Sequence, residues 1–234
     1  MSYTSNITLK LDNKQNQYIE QLKNTIKSRM NSELYMHSVS TLDYALKLAG
    51  IYALQKTAKC KDGKPYLINN IKSSEIKNIN KWLFRLSVSS ILHDYGKIFS
   101  SEELLEIARN KKLGLSKFEI NCEPLLHGFL GPYLVQRDFN IKDSEILNAI
   151  KYHTIGSCNM SLLDKILYIS DKIGGDRNYK GIERCRKLSL QNINLCLLEV
   201  YKSNIIYVIT KHNFLHPDTS KIWNYIYGGF LNAI

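Results

Sequence analysis

Ser89-Ser90-Ile91-Leu92-His93-Asp94-Tyr95-Gly96-Lys97 sets an imidazole beside a carboxylate at the end of an apolar helical run. Upstream, Ile76, Ile79, Leu83, Leu86 and Ser90 recur on one face, while Trp82, Phe84, Val88 and Ile91 make the other faces apolar. A helix apolar all round belongs at the centre of a fold. Neutral imidazole and carboxylate are ligand types that zinc, iron and manganese accept. Adjacent helical residues splay by about 100°, so both reach one ion only at a helix end or an irregular turn. Gly96 supplies such an end. A His-Asp pair by itself is a common surface feature, and its partners decide the reading.

Four of the six histidines, His37, His93, His127 and His153, fall inside or at the end of apolar helical patterns rather than in polar loops. Asp171 closes another such run, Leu167-Tyr168-Ile169-Ser170. A carboxylate there is costly unless paired, protonated or bound to a metal. The order His, His-Asp, His, His, Asp is far more specific than any one member.

Outward from this core the chain reads as helices. Residues 1–16 form a polar extension, and residues 17–234 one helical domain interrupted by a loop excursion over 56–74, where Asp62-Gly63-Lys64-Pro65 signals a turn. A first helix is expected through Tyr18, Ile19, Leu22 and Ile26, and a second, capped by Ser32, from Glu33 to about Gln55. The central helix starts near Glu75. Ser100 and Glu103 make a capping box, Lys111 to Cys122 reads as loop, and Pro124 suits the start of the helix carrying His127. Pro132 is expected to kink or break that helix. Asp143 caps the helix ending at His153, and Ser161 caps the one ending near Asp171, with Gly174-Gly175 as its stop. Past a polar turn at Asp176 to Gly181, helical spacing resumes at Ile182, and Leu190 to about Asn213 outlines a long helix. His216-Pro217 ends it, and Asp218 to Tyr227 forms a last short helix. No segment alternates as a strand, so the expectation is an all-α, single-domain bundle with the metal site at its centre.

At 234 residues and 44% hydrophobic the chain can bury one sizeable core. No run of eighteen apolar residues occurs and the start lacks a signal-peptide layout, so a cytoplasmic protein without a membrane partner is expected. Five cysteines with no Cys-x-x-Cys pair argue against disulfides and a zinc knuckle. The net charge of +11 favours an anionic partner, but the lysines are scattered, which suits a phosphate ligand better than a nucleic acid.

With these residues placed, the sequence resembles the HD superfamily of metal-dependent phosphohydrolases, and within it the YqeK-type symmetrical bis(5'-nucleosyl)-tetraphosphatases. The resemblance spans roughly residues 18–220 through Tyr35-x-His37, His93-Asp94-x-x-Lys97, Leu125-Leu126-His127-Gly128, His153-Thr154-x-Gly156, Asp171-Lys172-Ile173-x-x-x-Arg177 and His216-Pro217-x-Thr219. It implies that His37, His93, Asp94 and Asp171 hold a divalent transition metal, iron foremost, with manganese or cobalt as substitutes. His127 and His153 take one of two implied roles, phosphate contact or a second metal, and the first is favoured. Asp94 and Lys97 are the implied catalytic residues. Asp94, Lys97, His127, His153, Thr154, Asp171, Arg177, Phe214, Leu215, His216, Pro217 and Thr219 are the implied substrate-binding residues. The implied ligand is a dinucleoside polyphosphate or an ADP-like nucleotide, and a homodimer is compatible with the family. Three departures stand out: Leu34 replaces a usual arginine; Gly174-Gly175 replaces a usual acid and proline, which is expected to loosen the turn carrying Arg177; and Pro132 and the 56–74 excursion are unexpected in the family.

The implied activity is metal-dependent, symmetrical cleavage of diadenosine tetraphosphate and its analogues into two nucleoside diphosphates. The rival readings are a nucleotidase or deoxynucleotide triphosphohydrolase of the same superfamily, a non-catalytic nucleotide sensor, and a basic nucleic-acid-binding helical protein.

Overall fold

The computed structural model describes residues 11–57 and 73–231. Most of the polar extension and of the 56–74 excursion, with Cys60, lies outside the described residues. Eleven α-helices follow in order among those described: α1 Asn13–Arg29, α2 Ser32–Thr57, α3 Ser73–Leu92, α4 Ser101–Asn110, α5 Lys117–Asn121, α6 Glu123–Phe139, α7 Ser144–Tyr152, α8 Leu162–Ile173, α9 Ile182–Ser189, α10 Ile193–Thr210 and α11 Thr219–Leu231. A short 3-10 turn, Tyr95–Ile98, follows α3. No strand occurs among the described residues, as the absence of alternation led one to expect.

Local chemistry sets most helix starts. Ser100 and Ser161 each accept a backbone N–H three residues on, and Glu103 and Asp164 return the bond to the cap backbone. Asp143 accepts from Glu145 and Ile146. Elsewhere the helices differ from the sequence expectation in instructive ways. α1 begins at Asn13, ahead of its first apolar residue, because Asp12 and Gln15 form a capping box. Ser32 lies inside α2; the side chain of Asn31 accepts the Leu34 N–H at 2.8 Å and starts that helix one residue early. The Lys111 to Cys122 stretch contains α5, nucleated by a Ser116–Glu119 capping box. The stretch expected to run on from Leu190 is cut off from α9 at Gln191-Asn192, where Asn192 accepts from Asn194 and Leu195 and opens α10.

Pro132 does not break α6, which stays helical to Phe139. The residue before a proline is normally driven out of the α region by a clash involving its own Cβ. Here that residue is Gly131, and Gly128 sits one turn back. Gly131 also faces α7 and Gly128 the turn after it: a Cβ on Gly131 would stand 2.8 Å from Ile150 Cγ2, and one on Gly128 would stand 2.8 Å from Thr154.

Burial divides into two apolar clusters. One joins α2, α8, α9, α10 and α11 through residues such as Ala45, Leu48, Leu167, Ile169 and Val200. The other joins α1, α4, α6 and α7 through Ile26, Leu104, Leu126, Leu130 and Ile150. α3 belongs to both, giving Leu83 and Leu86 to the first and Val88, Ile91 and Leu92 to the second. It is the central helix its sequence implies. Ser87, Ser89 and Ser90 on it are fully buried and let its neighbours close in. α10 is the one described helix long and apolar enough to cross a membrane by length and composition. Its first half is buried against the domain through Ile193, Cys196, Leu197, Val200 and Tyr201, whereas Ile206, Tyr207 and Ile209 in its second half are exposed. Cys122, Cys158, Cys185 and Cys196 are free thiols.

Candidate active site

At the seam between the two clusters, five helices each deliver polar side chains inward. His37 comes from α2, His93 and Asp94 from the turn closing α3, His127 from α6, His153 from the end of α7 and Asp171 from α8. All six residues are buried, His93 and Asp94 almost completely. The structure brings these six side chains together.

Backbone and side-chain partners fix how the rings face. The Nδ1–H of His93 donates to the Ser90 carbonyl at 2.8 Å, and that of His153 to the Ile150 carbonyl at 2.6 Å. His37 donates from Nδ1 to Asp176 Oδ2 at 2.7 Å. Carbonyl and carboxylate oxygens only accept, so these contacts place the three Nε2 atoms, and not the Nδ1–H groups, toward the centre. There His37 Nε2 stands 3.3 Å from His93 Nε2, 2.9 Å from Asp171 Oδ1 and 3.6 Å from Asp94 Oδ2. His93 Nε2 lies 3.5 Å from Asp94 Oδ2 and 3.7 Å from Asp171 Oδ1. The other oxygen of Asp94 faces the opposite way: Oδ1, His127 Nε2 and His153 Nε2 form a triangle with sides of 3.3, 3.3 and 3.2 Å.

These spacings fit a cation. Donor atoms about 2.0–2.1 Å from one tetrahedral ion stand about 3.3 Å apart. Asp94 Oδ1 is buried and forms no hydrogen bond, although two imidazole nitrogens lie 3.3 Å away, so its neighbours are spaced as co-ligands. Lone pairs and anionic oxygens packed this closely repel unless positive charge sits among them.

The titration behaviour agrees. Burial raises Asp94 and Asp171, but their neighbours more than offset it: His93, with the close approach of His127 and His153, holds Asp94 well below the usual carboxylate range, and Lys172, His37 and His93 do so for Asp171. Burial lowers His93, yet Asp94 and Asp171 carry it up to about 9. Burial dominates at His153 and pulls it down to about 4. When no cation is bound, His93 therefore holds a proton at neutral pH in the place where a metal could bind. Metal uptake near pH 7 is expected to release that proton, and affinity should rise about tenfold per pH unit up to about pH 9. Titrating Mn(II) at pH 6.5 and 7.5 measures this directly.

Three cations rim the cluster. Lys97 Nζ donates to Asp94 Oδ2 at 2.7 Å, and Arg177 Nη2 reaches both Asp171 Oδ1 and His37 Nε2 at 2.9 Å. Lys172 bonds Asp171 Oδ2 at 2.5 Å and the His153 carbonyl at 3.0 Å. The Lys97 and Arg177 side chains are 41% and 38% exposed, so they face the buried carboxylates and the solvent at once. The turn carrying Arg177 is not loose. Arg186 donates to the carbonyls of Ile173, Gly174 and Arg177, and Arg177 N–H bonds the Gly174 carbonyl. Leu34 packs against the second apolar cluster.

Thr154 adjoins the centre, its Oγ1 buried with no hydrogen-bond partner. The Phe214 to Thr219 segment lies further out. Phe214 is 74% exposed and Leu215 is exposed beside it. Phe118 meets the Phe214 and His216 rings edge-on, and Phe129, two residues after His127, lies 5.8 Å from the His216 ring. Thr219, by contrast, is buried after Pro217 at the start of α11 and bonds Tyr201. Sequence reasoning missed the part played by Lys172, whose only signal is a cation directly after a helix-end aspartate, and that of Asp176, hidden in a polar turn.

A family model for the HD domain matches residues 34–175, the segment that holds all six central residues. The chain belongs to the HD domain family. Among curated HD-type relatives it is 29% identical to the symmetrical bis(5'-nucleosyl)-tetraphosphatase of Bacillus subtilis, over 87% of this chain and 95% of that one. It is 25% identical to the Staphylococcus aureus protein of the same name, over 88% and 93%. A solved Clostridium acetobutylicum structure, described as an HD superfamily hydrolase involved in NAD metabolism, superposes with a TM-score of 0.72 at 31% identity, covering 89% of this chain and 96% of that one.

Proposed function

We propose that this HD-domain protein is a metal-dependent hydrolase that cleaves diadenosine tetraphosphate and related dinucleoside tetraphosphates symmetrically into two nucleoside diphosphates. The observation that carries the reading is the buried set of His37, His93, Asp94 and Asp171, with ligand atoms spaced for one ion and two partly exposed cations at its rim. The similarity to symmetrical tetraphosphatases over nearly their whole length supports the substrate. The nitrogen and carboxylate donor set suits iron, and manganese or cobalt can replace it.

His37, His93, Asp94 and Asp171 would hold a divalent ion there, and it would supply Lewis acidity toward water and phosphoryl oxygens. The chain's own groups do the rest. Asp94 sits between the two halves of the site and orients the attacking water by accepting a hydrogen bond from its O–H. Lys97 and Arg177 swing from the carboxylates onto the phosphates and neutralise charge that develops there, the dominant electrostatic contribution in phosphoryl transfer. A diphosphate leaves without needing a dedicated acid. Thr154 offers its unpartnered hydroxyl to a phosphate oxygen. Phe214, Leu215, His216 and Pro217 flank the outer end of the ligand, while Thr219 supports them from beneath.

His127 and His153 fit a second cation better than a phosphate. His153 uses its Nδ1–H on the Ile150 carbonyl, and burial opposes a second proton, so its Nε2 presents a lone pair that a phosphate oxygen cannot use. Metal analysis of the purified protein decides this point: two ions per chain support the second site, one ion per chain opposes it.

The activity is tested by incubating purified protein with diadenosine tetraphosphate and Fe(II) or Mn(II), followed by chromatography. ADP as the sole product is expected. AMP with ATP, or nucleoside with free phosphate, contradicts the symmetrical reading and points to another nucleotide hydrolase.

A further inference from the structure

We infer that Asp176 is a positioning residue for the metal centre, acting through His37. The inference rests on the reading of His37 as a metal ligand. Asp176 Oδ2 accepts the Nδ1–H of His37 at 2.7 Å, which fixes the tautomer and aims Nε2 at Asp94 Oδ2 and Asp171 Oδ1. A carboxylate behind an imidazole ligand also raises its basicity. The His93 and His153 rings are held by backbone carbonyls of their own helices, so His37 is the one of these three that depends on a side chain from elsewhere in the fold.

The surroundings are built for this contact. α2 presents His37 and Ser40 one turn apart on one face, and Ser40 Oγ accepts the Asp176 backbone N–H at 3.1 Å, so the aspartate is gripped at both ends by one helix. Space is supplied at Gly174. A Cβ there would stand 3.0 Å from Asp176 Oδ1, 3.0 Å from the Ser170 carbonyl and 3.2 Å from Ser40 Oγ. The glycine has an ordinary negative φ, so room for the Asp176–Ser40–His37 contact, and not backbone freedom, is what its missing side chain provides. Arg177 follows directly, its Nε 3.9 Å from Asp176 Oδ2 while its Nη2 bonds Asp171 Oδ1. The same short turn thus positions a ligand and a rim cation.

The test is Co(II) titration of the full chain, read through the visible absorption of the bound ion, for the parent, Asp176→Ala, Asp176→Asn and His37→Ala. Asp176→Ala is expected to weaken Co(II) binding about 10–100-fold, the usual cost of losing an outer-shell partner. Asp176→Asn, nearly isosteric and still able to accept the Nδ1–H, is expected to recover part of that loss. A helical circular dichroism spectrum and a melting temperature close to the parent's keep misfolding apart from site effects. If Asp176→Ala and Asp176→Asn both bind as tightly as the parent while His37→Ala does not, the positioning role is wrong and the metal reading stands. If His37→Ala also binds as tightly as the parent, both are wrong.

Discussion

Asp94→Ala is expected to remove bound metal and to lower tetraphosphate hydrolysis by about 10³-fold or more, equivalent to roughly 4 kcal/mol of lost transition-state stabilisation. Asp94 is the one residue whose two oxygens face both halves of the site, Oδ2 toward His37 and His93 and Oδ1 toward His127 and His153. On the proposed site its loss would remove an anionic ligand and the partner of Lys97 together. It also leaves four imidazoles facing one another with a single carboxylate, Asp171, to balance any cation. Asp94→Asn keeps the volume but not the charge and should lose nearly as much. Metal content and turnover measured on the same preparation check this, and a metal-free Asp94→Ala protein with parental turnover would falsify the assignment.

Gly96→Ala is the second large effect, and it touches no ligand. A Cβ at position 96 would stand 2.8 Å from the His127 carbonyl oxygen, 2.9 Å from its Cα and 3.0 Å from its Cβ. Two of these are backbone atoms of α6 that cannot rotate away. The turn bearing His93 and Asp94 must therefore lift off the helix bearing His127, and overpacking of this kind typically costs about 1–3 kcal/mol. A shift of about 1 Å at a catalytic constellation can cost about 10²-fold in turnover. The expected result is a folded, helical protein with a lowered melting temperature, weakened metal binding and turnover reduced about a hundredfold. Parental kinetics in Gly96→Ala would show that the two halves of the site need not be held at this separation.

The six central residues were legible because each places a costly group on an apolar helical pattern, where burial demands compensation. His93, Asp94 and Asp171 are conspicuous at the ends of the two most buried runs. The capping box at Ser100 and the cap at Ser161 were equally legible, since they involve side chains only a few residues apart. What escaped depends on contacts distant in sequence. Asp176 looks like any turn aspartate until α2 brings His37, 139 residues away, onto it. Pro132 signals a broken helix by its own chemistry, and Gly131, which relieves it by having no Cβ, is itself required by close packing against Ile150 of α7. Arg186 tightens the glycine turn from a helix that sequence alone leaves unrelated to the site. The seam between the two cores, which explains why the polar residues meet where they do, is a property of packing and has no local signature.

Anomalous diffraction from crystals grown with Mn(II) tests the central claim most directly. The account predicts a strong peak enclosed by His37 Nε2, His93 Nε2, Asp94 Oδ2 and Asp171 Oδ1, absent from crystals of His93→Ala. Peaks confined to surface carboxylates, with those four atoms holding no ion, would contradict it.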